Sequence, residues 1–177
     1  EFGGISIDKE KIIAFASEFD PQPFHINKEV AEKSEFGGLI ASGWHTAAAT
    51  MRLLVDHFLS ESSSLGSPGI DELRWLKPVR PPETLRVRVT ILDTRKSKSK
   101  PDRGFVRSKI ETLNSKEETV MSLIATTIVL CKTKVWFAFF YASARGDQDY
   151  AAEELLYPQL RYLPVFQKKL KNISLKL

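Results

Sequence analysis

With a single cysteine, Cys131, the 177-residue chain can form no intrachain disulfide, and it has no CxxC pair or Cys/His spacing of the kind that holds zinc. A reducing compartment fits that usage, and no metal or other cofactor is expected. Long hydrophobic runs are missing too. The longest apolar cluster, VWFAFFYASA at 135–144, is too short to cross a bilayer, for which a helix needs about 20 apolar residues. The opening EFGGISIDKE has neither the basic start nor the apolar stretch of a secretory signal. Because the chain begins at Glu1 rather than Met, native residues ahead of it are expected to be missing. These absences predict a soluble, cytoplasmic protein without membrane contact. A basic body is also lacking. The formal charge is +4, from 26 Lys and Arg against 22 Asp and Glu, but residues 1–131 carry 18 of each and the excess of 8 over 4 lies in 132–177. Nucleic-acid binding ordinarily needs a basic stripe on the folded body to displace phosphate counterions, so no nucleic-acid partner is expected.

What is present suits one domain with a proper core, since 42% of the residues are hydrophobic. That domain is expected over 1–131, with 132–177 as a C-terminal extension to which the sequence assigns no role. Ile5 and Ile7 alternate with Ser6, which predicts a short strand, and Asp8 stands at an N-cap position. Ile12, Phe15, Ala16 and Phe19 then share one face of a helix that must stop at Asp20-Pro21. Lys28 to Lys33 reads as one or two further helical turns. The clearest signal follows. Trp44, Ala47, Ala48, Met51, Leu54, Val55, Phe58 and Leu59 step by three and four, defining the apolar side of a long helix capped by Ser42, with Thr46 and Thr50 on the less apolar side. Alanines at 47–49 keep its first half slim, as suits a helix that something wraps around. From Ile70 the period changes to two: Leu85, Val87, Val89 and Ile91 alternate with polar residues, and the segments from Phe105 to Leu113 and from Thr119 to Leu130 are rich in β-formers. The order predicts an α+β fold in which an antiparallel sheet curls around one apolar helix.

The segment DPQPFH, Asp20 to His25, puts a carboxylate and an imidazole five positions apart, with Pro21 and Pro23 fixing φ near about −65° between them. A carboxylate and an imidazole held at a set separation can together orient one water, the first accepting its proton and the second holding its oxygen or passing a proton on. An Asp capping a turn beside a surface His is the plainer alternative. The segment ASGWH, 41–45, opens the long helix. Backbone N–H groups near Gly43 and Trp44, helped by the helix dipole, form a ready site for an oxyanion, and Gly43 has no side chain to block approach.

Taken in this order, the two segments resemble the MaoC-like dehydratases, hot-dog-fold proteins related to the (R)-specific enoyl-CoA hydratases. The resemblance rests on FASEFDPQPFHINKEVAEKSEFGGLIASGWHTAAATMRLL, 15–54, where Asp20, Pro23, His25 and Ala31 match the family pattern in type and spacing; it extends over about residues 3–131. It implies an antiparallel sheet wrapped around a long central α-helix, in a homodimer or higher homo-oligomer that binds an acyl-CoA thioester. Asp20 and His25 take the water-activating positions and the Gly43 N–H the oxyanion donor's, while Pro23, Phe24, Ser42 and Trp44 are the expected substrate-binding residues. The implied reaction is reversible syn hydration of a trans-2-enoyl-CoA to a (3R)-hydroxyacyl-CoA. Phe19 and Gln22 depart from the Gly and Asn that well-studied hydratases tend to carry.

Other features have plainer readings beside sharper ones. His45 could reach the pocket or simply meet solvent in a first helical turn, and His57 suits a helix end. The basic residues Arg95, Lys96, Lys98, Lys100 and Arg103 could meet coenzyme A phosphates but read more readily as a solvated hairpin loop. Trp75 and Phe105 are expected in the core or an interface. Two alternatives to the hydratase stand: a thioesterase, which needs a helical carboxylate such as Asp56, and a non-catalytic module that binds an acyl thioester or a protein.

Overall fold

The structure, a computed structural model, describes residues 1–59 and 64–131; the extension expected at 132–177 lies outside the described residues. Strand β1 (Phe2–Ile7) leads into helix α1 (Lys9–Phe19). Asp8 caps that helix, its Oδ1 accepting the Lys11 N–H at 2.8 Å. The chain then makes two short helices, α2 (Pro23–Ile26) and α3 (Lys28–Lys33), before the long α4 (Gly43–Leu54), which continues as a π-helical segment, Val55–Leu59. Four strands follow: β2 (Ser64–Trp75), β3 (Glu83–Lys96), β4 (Arg103–Leu113) and β5 (Thr119–Leu130). All pairings in the five-stranded sheet are antiparallel, in the order β1-β3-β4-β5-β2.

Helix α4 lies against the sheet at β1 and β3. Leu53 and Leu54 pack with Val87, Ile110, Met121 and Leu123 at one end of the core, and Ala49 with Ile7, Ile12 and Leu85 at the other. Ile12 is fully buried, which removes apolar surface worth roughly 1.5–3 kcal/mol from water. It pins α1, and with it the α1 C-terminus, to the sheet side of α4.

The face of α4 that meets the core only partly matches the one its hydropathy marks: Leu54 is in the core and Ala47, Phe58 and Leu59 pack against it, but the rest of the expected stripe does not. His45, Thr46, Ala49, Thr50, Leu53 and Leu54 are buried, whereas Trp44, Ala48, Met51 and Val55 are exposed. The threonines can go inside because their hydroxyls are satisfied: Thr50 Oγ1 donates to the Thr46 carbonyl at 2.8 Å, and lies 2.7 Å from Thr112 Oγ1 on β4. With the polar atom paired, what remains to pack is a methyl group. Two narrower expectations are corrected. Phe19 is exposed at the end of α1, where its ring packs at a tilt of 47° against Phe15 rather than entering the core. The pleated pattern begins at Ser64, six residues before Ile70. Of the two places expected for Trp75, core or interface, its 47% exposure excludes the core.

His45 reaches neither solvent nor the site suggested for it. Its ring stacks on Phe15 at 4.7 Å, is 9% exposed, and leaves Nδ1 without a partner among the described residues. Burial lowers its proton affinity, with Asp8 opposing and Lys11 reinforcing the effect. The neutral ring is therefore the form that folds. Below a pH of about 6.5, the unfolded histidine takes up a proton that the folded one refuses, so stability falls with pH by up to ~1.4 kcal/mol per unit. Between pH 7.5 and 5.5 the melting temperature should drop more steeply for the parent than for His45→Gln; equal slopes would contradict the assignment.

Candidate active site

Three helix ends meet beside the sheet. Asp20 terminates α1, because the residue before Pro21 is pushed out of helical geometry; its φ and ψ are −153° and 66°. Pro23 then sits at the first position of α2, where a missing N–H does no harm. That single turn replaces the loop expected around His25 and carries its ring inward, to 4% exposure. The third end is the N-terminus of α4.

His25 Nδ1 lies 2.8 Å from the Ile40 carbonyl. A carbonyl only accepts, so in the neutral ring the proton is on Nδ1 and the Nε2 lone pair is free. Nε2 lies 3.4 Å from Asp20 Oδ2. Ser42, completely buried, donates its hydroxyl to the same Oδ2 at 2.7 Å and accepts the Trp44 N–H at 3.2 Å. One side chain thus caps α4 and ties α1 to it. Gln22 Nε2 donates to the other oxygen, Oδ1, at 2.8 Å. Asp20 is held below the usual carboxylate range by the Ser42 hydroxyl first and the Gln22 amide second, against a smaller opposing effect of burial, with His25 adding to the lowering. Its carboxylate is ionised at neutral pH.

A cleft of about 410 Å³ opens onto these groups, lined among others by Asp20, His25, Phe24, Gly43, Trp44 and Trp75. Of the expected substrate-binding residues, Phe24 and Trp44 line it, while Pro23 and Ser42 do not; the Ser42 hydroxyl is taken up by Asp20 and Trp44. The Gly43 N–H forms no hydrogen bond among the described residues, as befits the first turn of a helix. The space a side chain at 43 would fill is not open to substrate. It is occupied by the Trp75 indole, whose Nε1–H donates to the Gly43 carbonyl at 2.9 Å.

The residues of the site that sequence patterning did not assign are Gln22 as an Asp20 donor, the Ile40 carbonyl and Trp75. Of the basic residues flanking the β3-β4 turn, Arg95 lies 4.0 Å over the Phe105 ring and Arg103 pairs with Asp102 at 2.8 Å. Among the described residues, no group of three or more His, Cys, Asp and Glu side chains could hold a metal, and no helix is long and apolar enough to cross a membrane.

A family model described as MaoC like domain matches residues 2–113. A Bacillus subtilis (strain 168) protein called YdeM, itself described as uncharacterized, is 32% identical over 116 residues, 66% of this chain and 81% of that protein. Among solved structures, a MaoC-like dehydratase from Rhodospirillum rubrum is 45% identical with a TM-score of 0.69, over 74% of this chain and 89% of that one. The R-hydratase PhaJ1 from Pseudomonas aeruginosa shares the fold at 21% identity, with a TM-score of 0.57 over 74% of this chain and 79% of that one.

Proposed function

Because the chain belongs to the MaoC-like domain family and has its hot-dog fold, we propose that it is a hydro-lyase that adds water reversibly to a trans-2-enoyl-CoA. The observation that carries this reading is the pair of acceptors at the mouth of the cleft, Asp20 Oδ2 and His25 Nε2, 3.4 Å apart. A single water can donate one hydrogen to each. Its oxygen lone pair is then turned outward, toward a substrate carbon in the cleft.

In this mechanism the water oxygen bonds to C3 of the enoyl group while Asp20 takes one of its protons. The C2–C3 π electrons move toward the thioester oxygen, where the free N–H of Gly43 meets the developing charge. A proton is returned to C2 on the same face, which gives the (3R)-hydroxyacyl thioester and restores Asp20 and His25 to their starting forms. Atoms balance with one water consumed per double bond. The aromatic lining, Phe24, Trp44 and Trp75, excludes bulk water from the enolate-like state.

The thioesterase alternative finds less support. Asp56, its candidate carboxylate, is bound to Arg52 at 2.8 Å and does not line the cleft. Adding trans-2-butenoyl-CoA to the protein is expected to bleach the enoyl absorbance without releasing free thiol, and His25→Ala is expected to remove most of that activity. Thiol release would favour the thioesterase. Binding without any turnover would favour the non-catalytic module.

The proposed partner is a second copy of the chain. Trp44, Met51 and Val55 on α4 and its extension, with Ile70, Trp75 and Leu76 along and beyond β2, are exposed large apolar side chains, a combination that marks an association surface. Sedimentation at twice the chain mass is the expected result; a monomer at micromolar concentration contradicts it.

A further inference from the structure

Gln22 is the N-cap residue of α2, yet its side chain makes no capping hydrogen bond. Glutamine is not among the side chains favoured there; Ser, Thr, Asp and Asn are, because they reach the free N–H groups of the first turn. Capping therefore does not account for the residue. Its amide turns back instead to Asp20, donating to Oδ1 at 2.8 Å, while the Gln22 backbone N–H reaches the Asp20 carbonyl at 2.7 Å and its carbonyl accepts the His25 N–H at 2.9 Å. Gln22 thus touches both members of the Asp20–His25 pair.

Building on the hydratase reading, we propose that Gln22 is a positioning residue for Asp20: its amide holds the outer carboxylate oxygen so that the inner one, Oδ2, stays turned toward His25 and the cleft. A carboxylate rotates readily about its last torsion, which is broad and two-fold. Ser42 fixes one oxygen from the buried side and Gln22 the other from the solvent side, 2.7 and 2.8 Å away. Two donors from different elements define the plane of the group, where one alone would leave it free to swing. Both donors also favour the ionised form, so the same contact that orients Asp20 keeps it ready to accept a proton.

The charged or titratable groups lining the cleft are Asp20, His25 and Lys77, and Lys77 is engaged by Glu118 at 2.6 Å. Donor strength at position 22 should therefore be read out by Asp20 itself. Gln22→Met preserves length and removes the donor; Gln22→Lys restores a donor with a positive charge. In the pH profile of kcat/KM for trans-2-butenoyl-CoA, the acid limb should move up by roughly one pH unit in Gln22→Met, and return to the parent position or below it in Gln22→Lys. The plateau kcat should fall in Gln22→Met with KM little changed. A direct titration of ¹³C-carboxyl-labelled aspartate, with the Asp20 signal identified by its loss in Asp20→Asn, should follow the same order. An acid limb and an Asp20 titration that coincide in all three proteins would overturn the proposal. If no enoyl thioester is turned over by the parent, the hydratase reading fails, and the carboxylate titration still decides whether Gln22 holds Asp20.

Discussion

Asp20→Asn is expected to lower kcat for enoyl-thioester hydration by roughly 10²–10⁴-fold, the scale on which a positioned general base acts, with the protein still folded. The folding part of that expectation comes from the network itself. Asparagine keeps one oxygen to accept the Ser42 hydroxyl, and its amide nitrogen can face Gln22, whose own amide can turn over to present an oxygen; the contacts at 2.7 and 2.8 Å are then preserved in kind. What asparagine lacks is a charge able to take the water proton. The loss should therefore appear in kcat at every pH, with a melting temperature within a few degrees of the parent. Activity within tenfold of the parent would mean that His25 alone, or another group, serves as base.

Much of the architecture was legible because helix ends are written locally. Asp8, Asp20-Pro21 and Ser42 each act within three residues, and the predicted bounds of α3 and β5 coincide with the observed ones. The orientation of α4 was not legible. Hydropathy counts Thr46 and Thr50 as polar, but in the helix their hydroxyls bond to carbonyls four residues back, and the Thr50–Thr112 contact joins residues 62 positions apart. The apolar stripe that periodicity identified is divided: Trp44, Ala48, Met51 and Val55 face outward, while Leu54 is buried and Ala47, Phe58 and Leu59 pack against the core. A similar divide runs through the site. Asp20 and His25 could be singled out because five positions and two prolines set their spacing, whereas the Ser42–Asp20 bond spans 22 positions and the Trp75–Gly43 bond 32. Short-range chemistry can be read along a chain; which of two capping groups also tethers a distant carboxylate depends on the fold that brings them together.

The same lesson gives Gly43 a different reason for being glycine, and a second large effect. Its backbone is helical, as the first residue of α4, so conformation alone would admit alanine. A methyl group there would stand 2.5–2.8 Å from three atoms of the Trp75 ring. Gly43→Ala must therefore drive the indole off the helix end, breaking the bond to the Gly43 carbonyl and moving one wall of the cleft; overpacking of this kind costs about 1–3 kcal/mol. In a Trp75→Ala background the obstruction is gone. There the added methyl should be neutral or slightly stabilising, because alanine is the better helix former by up to about 1 kcal/mol in a helix interior. The sign of the Gly43→Ala effect should thus reverse between the two backgrounds, a coupling that denaturant unfolding of the four proteins measures directly. Equal effects in both would mean that the ring yields without loss, and that something other than the indole requires glycine at the head of α4.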